Sequence, residues 1–406
     1  MRLTMQERKK LTAVMAPEYQ RARKKENGRI LDQFITATRY TRRYAAHALK
    51  THGKKVWVDS STVIVADVRK RKDRKKERHY DGPVIAALGQ VWKIMDFICG
   101  KRLAPILKEL IPRLIRFGEL KVSEEVRSKL IKKMSPATID RVLAPERKKY
   151  QIKGRSNTKP GTMLKSMIPV RTFSEWSDKK PGFAEIDLVG HEGGDGSGEF
   201  LYTLDITDVA TGWTETQAVR NKARQWVFEA LKDIRERLPF PLLGIDSDNG
   251  GEFINDHLFN YCRDEKITFT RARSYRKNDN CFVEQKNYSV VRRAVGYARY
   301  DTPEQQAVIN ALYMELRLYT NFFQPSMKRI GTIKDGSKRI KKYDKALTPY
   351  RRVMGSKDVS VSDKARLKAL YRNLNPAELK RRITKLQQNL LRLCSQKQIG
   401  RKRAAA

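Results

Sequence analysis

Close-set pairs of metal-binding side chains are missing from this chain. Its four cysteines, Cys99, Cys262, Cys281 and Cys394, stand far apart and form no CxxC pair; the five histidines are equally scattered. A structural zinc site built from neighbouring ligands is therefore not expected, and unpaired thiols suit a reducing cytoplasm. Long apolar runs are also lacking. None approaches the roughly 20 residues that cross a bilayer, and the opening MRLTMQERKK has no apolar segment of the secretory kind. Negative charge is scarce as well. Against 86 Lys and Arg stand 45 Asp and Glu, a net charge of +41 in 406 residues. Self-repulsion on that scale is best offset by a polyanion, so nucleic acid is the expected partner ahead of an anionic membrane.

The length exceeds a single ordinary core, and several domains are expected. Residues 1–55 read as three short helices. Thr4 to Glu7 spells a capping box, Ile30, Leu31, Phe34 and Ile35 share one helical face, and a basic third helix begins near Thr41. This fits a helix-turn-helix DNA-binding module in which Arg42 and Arg43 reach DNA. A linker at 56–80 opens with a short strand pair. Eight of the ten residues from Arg69 to Arg78 are basic, and Lys70, Arg71 and Lys72 are taken as phosphate contacts. Residues 81–150 read as a second helical DNA-binding module. There Ser135-Pro136 starts a helix toward Lys148 that would present Thr138 and Arg141. A second basic linker, 151–176, follows.

From 177 to 325 strands alternate with helices. Strands are expected at Phe183–Val189, Phe200–Thr207, Trp213–Val219, Leu242–Ser247 and Ile267–Arg271. Helices are expected through Ala223–Ile234, through Phe253–Cys262, and from Asn280 onward. Three strands, helix, strand, helix, strand, helix is the element order of the ribonuclease H fold. Trp213 and Trp226 are expected in its core. Beyond it, 326–356 is a small β-rich module, a hairpin or barrel turning at Asp335-Gly336. The last segment, 357–406, is a helical tail, expected to pack on its own domain rather than to assemble copies. The expected class is thus a multidomain chain: an α/β ribonuclease H-like core with a five-stranded mixed sheet, two all-α modules before it, and a hairpin and tail after it.

Three carboxylates stand where chemistry is expected. Asp187 lies inside the first strand of this core, Asp248 closes the fourth before Asn249-Gly250-Gly251, and Glu284 lies in the first turns of the helix from Asn280. A carboxylate in an apolar strand is costly unless it is paired or metal-bound. Acid groups at adjacent ends of strands and helix can hold two Mg²⁺ ions about 3.5–4 Å apart for phosphodiester chemistry. Asp246 is the main decoy for the second position, while Asp205 and Glu252 are read as solvated or capping. Arg271, Arg273, Arg276 and Lys277 crowd the loop before Glu284 and are taken as DNA-phosphate contacts. Lys286, Arg292 and Arg293 are weaker candidates.

At these residues the chain resembles a known family. Ser247-Asp248-Asn249-Gly250-Gly251-Glu252-Phe253 is similar to the second-aspartate motif of retroviral integrases and related insertion-sequence transposases. The glutamate follows after 35 residues, since 284 − 248 − 1 = 35, and Asn287 completes an E-x-x-N pattern. The resemblance covers about 150 residues and departs in lacking the His-His-Cys-Cys zinc module of the viral proteins. It implies a DDE-type transposase with Asp187, Asp248 and Glu284 as catalytic and metal-binding residues, two Mg²⁺ or Mn²⁺ ions, and Asn287 beside the DNA. It also implies binding of double-stranded terminal inverted repeats, 3′-end cleavage and strand transfer, assembly as a homodimer or higher oligomer, and a bacterial, cytoplasmic, nucleoid-associated setting with no membrane. Two rivals stay open: a nuclease on the same fold that cuts without joining, and a DNA-binding regulator with a lapsed core.

Overall fold

In the computed structural model the described residues are 3–57, 63–65, 80–132, 134–150, 180–247, 253, 256–271, 281–335 and 338–404. They divide into two units, Met1–His79 and Tyr80–Ala406.

In the first unit the helices span Met5–Arg21, Lys24–Thr38 and Arg42–Thr51. Thr4 accepts from the Glu7 N–H while the Glu7 carboxylate accepts from the Thr4 N–H, which completes the capping box. Ala16, Leu31, Phe34, Ala45 and Leu49 form the core of the three helices. Lys55–Trp57 (β1) and Val63–Val65 (β2) then pair antiparallel.

The second unit is built on a sheet of Phe183–Gly190 (β3), Tyr202–Asp208 (β4), Thr214–Val219 (β5), Gly244–Ser247 (β6) and Thr268–Arg271 (β7). The order is β5-β4-β3-β6-β7. β4 runs antiparallel to both β3 and β5, whereas β6 pairs parallel with β3 and β7 parallel with β6. This is the mixed five-stranded sheet expected from the element order. Short loops permit the antiparallel meander; the parallel strands each need a helical crossover, supplied by Arg224–Arg237 and Asp256–Asp264. Ile186 and Leu204 pack beneath Val227 and Leu231 of the first crossover helix.

A helix not foreseen, Pro303–Phe323, lies against the edge strand. Thr302 and Gln305 form its capping box. The Asn310 and Asn321 amides bind the backbone of Ala218 and Thr214, and the Tyr313 hydroxyl lies 2.7 Å from that of Thr203. The tail helix, Pro376–Ala404, packs on Pro303–Phe323. Trp213 is buried and Trp226 packs at the margin of the core.

The helices between 80 and 150 share one continuous hydrophobic core with this sheet. Tyr319 donates to the Ile94 carbonyl and the Asn375 amide to Glu119, which ties them further. Ser135 caps as expected, accepting from the Thr138 N–H at 3.2 Å. The single helix expected toward Lys148 is instead two, Pro136–Val142 and Ala144–Tyr150. Pro145, at the second position of the latter, has no N–H to continue the ladder. Arg329–Asp335 (β8) and Lys338–Tyr343 (β9) form the foreseen hairpin. Among the described residues, no helix is long and apolar enough to cross a membrane.

Candidate active site

The site lies on the polar face of the sheet. Side chains two apart on a strand share a face, so Glu185 and Asp187 of β3 point the same way. The antiparallel register sets Thr207 and Asp205 of β4 opposite them, and the parallel register sets Asp246 of β6 beside Glu185. Three carboxylates here are almost wholly buried: Glu185 is 1% exposed, Asp205 0% and Asp246 2%. Asp187 is half-buried and Glu284 is exposed.

Glu284 rides on a helix that starts at Cys281–Lys286, passes through a π-helical stretch, Asn287–Arg292, and ends with Arg293–Val295. Two side chains of β3 hold this helix. The Glu185 Oε2 accepts from the backbone N–H groups of Phe282 and Val283 at 2.8 and 2.9 Å. These are first-turn donors with no partner inside the helix, where a carboxyl group is most welcome. One helical turn beyond Glu284, the Asn287 amide donates to Asp187 Oδ2 at 2.6 Å. The other Asp187 oxygen accepts from the Leu188 N–H at 2.8 Å. The π-helical register begins at Asn287 itself, and such irregular turns recur at functional sites.

Burial shapes the electrostatics. It pushes the Glu185 carboxyl up to about 8 against the pull of its two N–H donors, and the charges of Asp246 and Glu284 act in the same upward direction. Burial likewise holds Asp205 well above the ordinary carboxylate range, with Lys286 pulling it down and Asp187 pushing it up. The Lys286 ammonium is pushed down to about 8 by burial, while Asp205 holds it up. Asp205, expected to be solvated or capping, is thus an interior residue opposite Asp187. The helix through Lys286 that packs over β4 is distant in the chain, so the burial of Asp205 leaves no local mark. Asp246 accepts from the Thr270 hydroxyl at 2.6 Å.

Asn287 is joined directly to Asp187, and Glu284 lies one helical turn before Asn287 on the same helix. Asp248, Glu252, Arg273, Arg276 and Lys277 lie outside the described residues, as do Lys70, Arg71 and Lys72. Arg271 ends β7 opposite Ser247. Elsewhere, Arg42 pairs with Asp32 on the surface, Arg43 and Arg141 are exposed, and Thr138 belongs to the Ser135 cap. Among the described residues, no group of three His, Cys, Asp or Glu side chains is set to hold a metal. Sequence reasoning passed over Glu185. Its signal was its place two residues before Asp187, on the same face of the same strand.

No family model matches the chain. Solved structures that align with part of it include the catalytic core domain of BIV integrase, 17% identical over 42% of this chain and 91% of that one, with a TM-score of 0.29. Another is the catalytic core domain of HTLV-2 integrase in complex with magnesium, 12% identical over 36% of this chain and 91% of that one, with a TM-score of 0.27. A relative from Sinorhizobium fredii (strain NBRC 101917 / NGR234), the uncharacterized protein y4rM, is 37% identical over 351 residues. The match spans 86% of this chain and 96% of that protein. At that identity and coverage, the chain belongs to the same family as y4rM.

Proposed function

We propose that this protein is a DNA strand-transfer enzyme, a DDE-type transposase whose catalytic residues are Asp187, Asp248 and Glu284. The single observation that carries the reading is the double tether of the glutamate helix to β3. Glu185 binds the helix start and Asn287 binds Asp187, which brings the Glu284 turn to the strand of Asp187. Asp248 follows directly on Ser247, whose register partner is Ile186, the neighbour of Asp187.

The donor set suits a hard divalent cation. Asp187 and Glu284 offer only oxygen, and each Asp187 oxygen accepts one N–H, from Asn287 and from Leu188, which fixes how the carboxylate is turned. Asp187, Asp248 and Glu284 would hold two Mg²⁺ or Mn²⁺ ions, which would supply activation of an attacking oxygen and stabilisation of the leaving one. The protein's own part is positional. Asn287 orients the Asp187 carboxylate, as outer partners of metal ligands do, and Glu185 fixes the helix that presents Glu284. The charge of +41 favours duplex DNA as substrate. Arg42, Arg43, Arg141 and the basic loop at Arg271–Lys277 are the proposed phosphate contacts, terminal inverted repeats the proposed target, and a homodimer or higher oligomer the proposed working form, because two ends must be joined.

The test uses the full chain, Mg²⁺, a supercoiled plasmid and a labelled duplex copied from the DNA that flanks its own coding sequence. Labelled plasmid is the expected product, and Asp187→Asn or Glu284→Gln should abolish it while duplex binding persists. Cut duplex without joined plasmid would favour a nuclease, and joining that survives Asp187→Asn would overturn the assignment.

A further inference from the structure

Behind the Glu284 helix lies a cavity of about 470 Å³, lined by four basic side chains drawn from three separate segments: Arg102, Lys286 and Arg293, and Lys380 of the tail helix. Asp96 is the one acidic residue among those lining it. Its two oxygens are already occupied, one by Arg293 at 2.6 Å and the other by Lys380 at 2.8 Å. The Arg102 guanidinium meets only neutral acceptors, the Pro325 carbonyl and the Gln324 side chain. Lys286 makes no hydrogen bond with any described residue; Asp205 stands within its Coulombic range and no closer. Even with Asp205 counted as charged, four cations face two carboxylates. Burial holds Arg102 below its ordinary range; the charge of Arg293 adds to this, while Cys99, Tyr319 and Asp96 act the other way.

Such a cluster is costly in the absence of a ligand and favourable around a dianion. The volume falls in the range of small-molecule pockets, too small for a duplex and ample for one nucleotide. Val290 and Leu316 give it an apolar surface that a base can cover. We propose that this cavity binds a nucleotide through its 5′-phosphate, with Lys286 and Arg293 as the principal phosphate donors and Ser289 beside them. The inference does not rest on the strand-transfer reading, since a protein that cuts no DNA could still hold a nucleotide here.

The experiment is lysine footprinting on the full chain with an amine-reactive acylating reagent, read by mass spectrometry. Three additions are compared: dAMP, a 5′-phosphorylated single-stranded trinucleotide, and sodium chloride at matched ionic strength. The proposal expects dAMP or the trinucleotide to slow acylation of Lys286 and Lys380 at least fivefold relative to salt, and that of the exposed Lys50 and Lys148 less than twofold. Protection by dAMP alone identifies free nucleotide as the source, and protection by the trinucleotide identifies a strand end; both support the site. Equilibrium dialysis with labelled dAMP should then show at least a tenfold weaker Kd for Arg293→Gln, which leaves Lys380 on Asp96. Slowing no greater than with salt, or equal slowing at all four lysines, overturns the proposal whatever the outcome of the joining assay.

Discussion

The Asn287 side-chain amide donates to the Asp187 carboxylate at 2.6 Å across 100 residues of sequence. With the Glu185 bonds to Phe282 and Val283, it defines how the glutamate helix meets the central strand. Removing the amide should leave the fold intact and loosen the orientation of Asp187. Asn287→Ala is expected to cost roughly 10–100-fold in strand transfer, the range seen for outer partners of metal ligands. The thermal midpoint should move little. An unchanged rate would detach Asn287 from the site.

Glu185 acts on the helix through one acceptor oxygen. Glu185→Gln keeps an oxygen of the same reach and is expected to retain most strand transfer. Glu185→Ala leaves two first-turn N–H groups without an acceptor in a buried place, at about 1–3 kcal/mol. Activity and urea midpoint should fall together in the alanine variant alone, as parallel rate and melting measurements on both would reveal.

Glu215 is fully buried and receives both Arg317 donors, at 2.6 and 2.8 Å, plus the Trp213 indole N–H at 2.8 Å. This cluster fastens Pro303–Phe323 to the edge strand. Arg317→Met strips a buried carboxylate of its main cation and should destabilise by about 3–5 kcal/mol. Adding Glu215→Leu should recover at least half of that in chemical denaturation. Failure of the double variant to recover would mean that the pair does not act as a unit.

His191 is wholly buried, with its Nε2 2.7 Å from the Thr203 hydroxyl, and burial drives its imidazole down to about 3. The sign follows from proton uptake. As pH falls through the ordinary value of 6.5 the unfolded chain gains a proton that the folded chain refuses, so stability drops from there toward pH 3. Between pH 7.5 and 5.5 the loss should be roughly 1.4 kcal/mol. Asp208, raised by burial to about 6, works in the opposite direction over part of that span. The informative quantity is therefore the difference between the parent and His191→Gln, which should shrink as the pH is lowered. A difference independent of pH would contradict the buried neutral imidazole.

Much of this architecture could be read from residue order alone. The alternation through Phe183–Val189, the helical spacing from Val227 to Ile234 and the caps at Thr4 and Ser135 are local patterns, and local patterns survive in a sequence. The proposed triad rests on sequence spacing, with Asp248 outside the described residues. What escaped depends on partners distant in the chain. Glu185 looked like an ordinary strand acid because its partners, Phe282 and Val283, come a hundred residues later. Asp205 looked solvent-facing because its burial arises from the helix through Lys286. The Pro303–Phe323 helix did carry a local signal, the Thr302–Gln305 capping box, which was passed over. That the 80–150 helices share the core of the sheet was not legible at all, since it depends on contacts such as Tyr319 with Ile94.

Whether Asp187, Asp248 and Glu284 share divalent cations can be seen by soaking crystals of the full chain in MnCl₂ and collecting at the manganese edge. Two anomalous peaks about 3.5–4 Å apart are expected, with Asp187 touching both. Peaks at Glu185 and Asp246 instead, or none at Asp187 under saturating Mn²⁺, would contradict that sharing.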